Sequence, residues 1–190
     1  MSDTSPGIAI ESGLPWHQHG VTIRAIGPDD LDTLVEYRNM EEVWILQDWE
    51  VPYERSRAER LIPPDSGMLA VGNWSQVAIE FDGMFVGDIG FHVPETGGVA
   101  WIGYSLHPRY WGRGIATRAV SLVVRNLVRM GARSVKASVD PRNEASIGLL
   151  SRCGFTLLDE KAPIVVRGEE FLDDVYAWEP GLGAVGTDGS

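Results

Sequence analysis

A chain of 190 residues with 44% apolar residues is long enough for one domain with one core and too apolar to stay disordered. Sixteen Lys and Arg against 27 Asp and Glu give a net charge of −11, which argues against nucleic acid as a partner and mildly favours cationic ones. No apolar run reaches the ~18 residues of a membrane span, Met1 to Gly13 lacks the basic and apolar regions of a signal peptide, and the single Cys153 excludes an internal disulfide framework. The expectation is a cytoplasmic protein without a membrane partner.

Residues 1–20 are rich in Gly, Pro, Ser and polar side chains and are expected to be loosely ordered. Val21 to Ile26 alternates apolar and polar and predicts a first strand. Pro28-Asp29-Asp30 starts a helix with Leu31, Leu34 and Val35 on one face. A second helix is predicted near Ser56 to Ile62, stopped by Pro63-Pro64. Gln76 to Phe81, Asp82-Gly83, and Met84 to His92 read as a hairpin with a tight turn. Val99 to Leu106 is a strand, and Ile115 to Met130 a long helix stopped near Gly131. Val135 to Val139 is a further strand, and Asn143 to Cys153 a helix stopped at Gly154. Phe155 to Leu158 and Val175 to Trp178 are the closing strands, and residues 180–190 are expected to be a disordered tail. Antiparallel strands precede a strand–helix–strand unit, so the class is α/β or α+β with a mixed sheet, in one domain over residues 21–179.

The segment between strand and long helix, Arg109-Tyr110-Trp111-Gly112-Arg113-Gly114-Ile115-Ala116-Thr117, is the most informative. Glycines let a backbone approach phosphate, and the first N–H groups of a helix point outward at the positive end of its dipole. A lone Gly-x-Gly is weak evidence, because turns use glycine without binding anything. Here a second block, Asp140-Pro141-Arg142-Asn143-Glu144-Ala145-Ser146 followed by Gly154-Phe155, lies on the next strand–helix unit. The two blocks can therefore meet at one edge of the sheet.

Together these blocks resemble the GNAT superfamily of acyl-CoA-dependent N-acyltransferases, and within it the Rim-like branch that acetylates ribosomal-protein N-termini. Trp101 to Thr117 is similar to the family's first motif, with Arg109, Gly112 and Gly114 at its core, and Ser138 to Ser146 with Gly154-Phe155 is similar to the second. The pair Arg38-Asn39 and the ending Gly168 to Trp178 also fit, so the resemblance spans about residues 20–180. It implies a mostly antiparallel sheet flanked by helices and splayed at the strand ending at Leu106-His107. It implies acetyl-CoA as cofactor, with its pyrophosphate on the N–H groups of Gly112, Arg113, Gly114, Ile115, Ala116 and Thr117, and added positive charge from Arg109 and Arg113. A backbone N–H near Leu106 or His107 would face the thioester oxygen. Asn143 takes the position that holds the pantetheine arm.

Proton handling departs from the family pattern. Many members carry a Tyr seven residues after the Asn to protonate the leaving thiolate, and that position is Leu150. The Rim-like branch has a Ser three residues after the Asn, and Ser146 fits. A thiolate of pKa ~8.5 is a tolerable leaving group that needs little more than a hydrogen bond. The two usual carboxylates fall on Trp101 and Val165, neither of which takes a proton. Asp88 and His92, four residues apart on one strand and so on one face, are substitute bases, with Glu80 and His107 behind them. The other reading is that no dedicated base exists. At pH 7 an α-amine of pKa ~7.8 is roughly 14% neutral and a lysine amine of pKa ~10.4 only ~0.04%, so missing carboxylates tilt toward an α-amine.

Trp16, Trp44, Trp49, Tyr53 and Trp74, among Glu41, Glu42, Asp48 and Glu50, suit a cationic amine acceptor, although ordinary packing explains them as well. His17 and His19 have no further ligands nearby, so no metal site is expected. The predicted activity is transfer of an acetyl group from acetyl-CoA to a primary amine, possible acceptors being a peptide N-terminus or a small amine such as an aminoglycoside, polyamine or amino acid. The rival reading is a non-catalytic domain that binds coenzyme A and senses or scaffolds. Monomer and homodimer are both compatible with the sequence.

Overall fold

The computed structural model describes residues 13–64, 69, 72–92 and 97–181. Residues 1–12 of the expected loose segment and 182–190 of the expected tail lie outside the described residues. The strands are β1 (Trp16–Gln18), β2 (Val21–Ala25), β3 (Trp74–Phe81), β4 (Met84–His92), β5 (Val99–Leu106), β6 (Ser134–Val139), β7 (Thr156–Val166) and β8 (Glu169–Trp178). The helices are α1 (Leu31–Arg38), α2 (Glu41–Trp44), α3 (Arg55–Glu59), α4 (Ile115–Arg129) and α5 (Glu144–Arg152). One sheet holds all eight strands in the order β1-β2-β3-β4-β5-β6-β8-β7. Only the β5–β6 pair is parallel.

A core lies on each face of this sheet. On one, α4 buries Ile115, Ala119, Val123 and Leu127 at helical spacing against Ile23, Ile89, Phe91 and Val135. Its opposite side carries exposed Arg125 and Arg129. On the other face α1 to α3 bury Leu34, Tyr37, Val43 and Ala58 with Trp49 and Tyr53. The Arg38-Asn39 pair ties this layer together. The Asn39 side chain accepts from the Tyr53 N–H at 2.7 Å and donates to the Val35 and Tyr53 carbonyls, each at 2.9 Å.

The middle of the sheet positions the site. β5 and β6 pair only from Val99↔Ser134 to Trp101↔Lys136, and beyond that point they part. The expected splay is therefore present, running alongside Ile102–Leu106. On its other side β5 is held tightly by β4. A Cβ at Gly87 would lie 2.3 Å from the Ser105 carbonyl oxygen, so only glycine allows this approach.

Three local expectations are corrected. β1 forms within the segment expected to be loose, because Trp16 pairs opposite Ile23 and stacks on Phe91 at a ring separation of 6.0 Å. Burying so large a ring offsets the ordering of three residues. The helix expected over Ser56 to Ile62 is Arg55–Glu59, and the short α2 before it carries no periodic signal. The closing strands are far longer than the sequence suggests. β7 and β8 form one hairpin around Arg167 and Gly168, both at positive φ (51° and 86°). β7 is an edge strand, which is why it tolerates Pro163 and a run of charges.

Candidate active site

The Gly-rich segment turns out of β5 through a 3-10 turn, Pro108–Tyr110, into α4. Gly112 and Gly114 have φ of 73° and 68°, and a Cβ on either would meet nothing within 4 Å. The space before them is open. The first turn of α4 has no side-chain cap. Its first intrahelical bond runs from the Arg118 N–H to the Gly114 carbonyl at 3.1 Å, which leaves the N–H groups of Ile115, Ala116 and Thr117 without an intrahelical acceptor. Arg109 and Arg113 are exposed beside the turn, and the Trp111 indole fixes its base by donating to the Leu106 carbonyl at 2.8 Å. Such a concave array of N–H groups beside guanidinium charge can hold a pyrophosphate.

Leu106 and His107 differ in what they offer. The His107 N–H donates to the Val86 carbonyl at 2.9 Å and so belongs to the β4–β5 ladder. Its ring is 4% exposed, close to Tyr37 and Tyr110, and its Nδ1 accepts from the Arg109 N–H at 3.2 Å. That N–H is not available to a thioester. Alternation along a strand turns the Leu106 N–H to the opposite edge, toward the splay.

Across the splay stands the N-terminus of α5. Asn143 is its N-cap, with Oδ1 accepting from the Ser146 N–H at 3.0 Å. The Asn143 carbonyl oxygen is thus spent on the helix, while its NH2 has no hydrogen bond among the described residues. The Tyr104 phenol reaches Ser146 from β5 without a well-formed hydrogen bond. Burial pushes its pKa up to about 12, against the opposing pull of Ser146. Tyr104 therefore stays protonated and can pass a hydrogen bond through Ser146.

A cavity of about 430 Å³ joins these groups to the opposite face of the sheet. Tyr104, Asn143 and Ser146 line it together with Asp88, Ser105, Trp49, Trp74 and Trp101. Asp88 is 1% exposed and receives hydrogen bonds from Tyr37, Arg38 and Gln76. Burial drives the Tyr37 phenol well above its ordinary value, so it remains a donor. Arg38 is held at 2.5 Å from Asp88, and its guanidinium lies 4.6 Å from the Trp49 ring centre and 4.7 Å from that of Tyr53. His92 shares the strand of Asp88 but does not line this cavity. Its ring lies beside Trp74, and its Nδ1 is buried without a hydrogen-bond partner among the described residues. Glu80 is also elsewhere, paired with Arg24 at 2.7 Å.

A carboxylate with little sequence signal, Asp173, helps to close the far end. The tip of the β7–β8 hairpin docks on the first helical layer, where Arg167 donates to the Trp44, Ile45 and Gln47 carbonyls and lies over the Trp44 ring. This docking sets Asp173 of β8 near Asp48 and Asp140. Arg142 grips Asp140 through both carboxylate oxygens and lowers its pKa. Asp173 has the opposite environment: burial raises its pKa, and Asp140 and Asp48 add to the rise. The available signal is the alternation of β8, which places Asp173 on the same face as fully buried Val175.

Residues 21–156 match the family model described as acetyltransferase (GNAT) domain. "Uncharacterized N-acetyltransferase p20" of Bacillus licheniformis is 27% identical over 139 residues, covering 71% of this chain and 78% of that protein. A putative ribosomal-protein-serine acetyltransferase from Vibrio cholerae superposes with a TM-score of 0.69 at 19% identity, over 88% of this chain and 98% of its own. The structure of AAC(6')-Ib in complex with ribostamycin and coenzyme A superposes with the same TM-score of 0.69 at 18% identity, over 90% and 100% of the two chains.

Proposed function

This chain belongs to the GNAT family of acyl-CoA-dependent acetyltransferases, and on that premise we propose that it acetylates a peptide or protein N-terminal α-amine. The observation that carries this reading is the single cavity that passes through the β5–β6 splay. On one side it meets Asn143 and Ser146 at the N-terminus of α5, and on the other it opens among tryptophans and carboxylates. Acetyl-CoA lies with its pyrophosphate on Gly112 to Thr117, flanked by Arg109 and Arg113, and its pantetheine arm in the splay beside the free NH2 of Asn143. The Leu106 N–H faces the thioester oxygen and stabilises the charge that develops there. Ser146, backed by Tyr104, assists the departing sulfur. Trp49, Trp74 and Trp101 give the acceptor apolar faces, and the acidic wall favours an ammonium on approach.

The α-amine is preferred on proton balance. A carboxylate is a weak base, and an amine of pKa ~7.8 demands some hundreds of times less of it than one of ~10.4. Asp88 lines the cavity, but its three donors suit it to positioning Arg38, and His92 stands off to the side. Both remain in the acceptor's surroundings as groups to test.

A specific feature favours a second reading, a small polycationic amine: Asp48 and Asp173 reach the same end of the cavity without a cationic partner among the described residues. The fold does not choose between the two, since it superposes equally on a protein acetyltransferase and on one bound to ribostamycin. A thiol-release assay with acetyl-CoA does choose. Peptides with free N-termini, the same peptides blocked at the N-terminus but bearing Lys, spermidine and kanamycin are compared at pH 7. Free N-termini are expected to turn over fastest. Turnover confined to spermidine or kanamycin replaces the first reading by the second, and acetyl-CoA binding without turnover on any would leave a coenzyme A sensor.

A further inference from the structure

The geometry points to Asp173 as the catalytic base: its carboxylate takes the proton of the attacking amine, the role left vacant by Trp101 and Val165. This rests on the reading of the cavity as the place where amine and thioester meet. Four carboxylates line it among the described residues, Asp48, Asp88, Asp140 and Asp173, and no histidine does. Three of them are poorly suited. Asp88 already accepts from Tyr37, Arg38 and Gln76, which takes three of its roughly four lone-pair sites and pairs it with a buried cation. Asp140 is chelated by the Arg142 guanidinium, which weakens it as a base. Asp48 is exposed on the rim, where water competes for any proton it might share.

Asp173 is different in each respect. It is 7% exposed, yet it lines the cavity and forms no ion pair among the described residues. β8 pairs with β6, with Ser138 opposite Val175 and Val139 opposite Asp174, so Asp173 sits in mid-β8 just past the end of β6, the strand that borders the splay. The groups around it are anionic, neutral or engaged elsewhere: Arg167 lines a small cavity with it but donates to the Trp44, Ile45 and Gln47 carbonyls. Asp140 follows β6, Asp48 comes from the loop after α2, and Asp174 is next along β8, itself bound to Lys161 of β7. Ala162 is its partner on β7, and the Ser138 hydroxyl is what eases its charge. The Arg142 guanidinium, 5.6 Å from the Phe171 ring centre, is turned to Asp140. Burial and three like charges, Asp140, Asp48 and Asp174, make its protonated form easy to reach, which is what a base must do during the reaction.

The step balances. The amine lone pair attacks the thioester carbonyl carbon and a C–N bond forms. The proton on that nitrogen passes to the Asp173 carboxylate. The C–S bond breaks with its electron pair on sulfur, and the thiolate takes a proton from water, relayed by the Ser146 hydroxyl. Amide and free coenzyme A leave, and Asp173 returns its proton to water.

The test compares wild type, Asp173→Asn and Asp173→Glu by three readouts. The first is kcat and KM against pH, with whichever of a free-N-terminus peptide, spermidine or kanamycin the wild type acetylates. The second is acetyl-CoA binding by calorimetry. The third is carboxyl-carbon NMR titration, the Asp173 signal being assigned by its loss in Asp173→Asn. Expected are a fall of at least ~100-fold in kcat for Asp173→Asn with acetyl-CoA affinity unchanged, loss of the acidic limb of the profile, and partial rescue by Asp173→Glu. The Asp173 carboxyl should titrate above the ordinary ~3.9. A raised KM with kcat unchanged would make Asp173 an anchor for acceptor charge and overturn the assignment. So would titration at or below the ordinary range, which decides the matter even if no tested amine is a substrate. In that last case the acceptor reading fails on the assay, separately from Asp173.

Discussion

Ser146 has a structural part that can be separated from the chemical one proposed for it. Its N–H is already used by the Asn143 cap, so the backbone needs the residue in place but not its hydroxyl. Its side chain lines the cavity beside the Tyr104 phenol. Ser146→Ala should therefore leave α5 folded and acetyl-CoA affinity unchanged while kcat falls about ten- to a hundredfold. Calorimetry and steady-state kinetics on one preparation check this, and an unchanged kcat would confine Ser146 to its structural part. At this scale the sequence was legible where a residue type is rare in its setting, as with Gly112, Gly114 and Asn143. It was misleading where a side chain's worth depends on its neighbours. Asp88 reads as a free carboxylate on a strand, but Tyr37 and Arg38 come to it from α1, some fifty positions earlier in the chain. Asp173 reads as one more acid in a charged stretch, and only the docked hairpin buries it. His107 reads as a donor at the end of β5, but its N–H continues the ladder to Val86.

The strand–turn–helix from β5 to α4 was readable almost to the residue, because its apolar period changes from a strand's to a helix's across a glycine pair. The β7–β8 hairpin was not, because an edge strand needs no alternation to survive and charged residues on it lose nothing. The Gly-rich turn carries the sharper prediction. Both glycines are left-handed, a conformation that costs any residue with a Cβ about 1–2 kcal/mol, yet there is open space where the new methyl would go. Gly112→Ala and Gly114→Ala should each lower stability by roughly that amount. Each should also weaken acetyl-CoA by tenfold or more, by tilting the N–H groups away from the pyrophosphate. Denaturant unfolding gives the first number and calorimetry on the folded variants the second. If both variants bind acetyl-CoA like the wild type, the turn is not the pyrophosphate site.

For the whole molecule, the contrast between Asp88 and Asp173 sets function against stability. Asp88 is a buried charge in full compensation, with Arg38 at 2.5 Å, and a protein keeps such a pair at little net cost. Asp173 is buried without an ion pair among the described residues, inside a chain whose net charge is already −11, so its ionised form is a standing cost to the fold. The sign follows from its raised pKa. Below the unfolded value of ~3.9 the carboxyl is protonated in both states and carries no penalty. As pH rises through the higher folded value, only the folded state resists losing the proton, and stability is lost. Asp173→Asn removes that penalty. The variant should match wild type below pH ~3.9, gain on it as pH rises through the folded pKa, and hold a constant advantage in Tm near pH 7. Relief of net charge alone would also stabilise an acidic protein, so Asp159→Asn, which removes one exposed charge on β7 that is not among those acting on Asp173, is the control. Thermal melts of the three proteins from pH ~3 to ~8 separate the effects. An advantage of Asp173→Asn no larger than that of Asp159→Asn would mean that Asp173 is not held at a cost. A larger one, coupled to the loss of kcat, would show a group that the fold keeps for its chemistry and against its own stability.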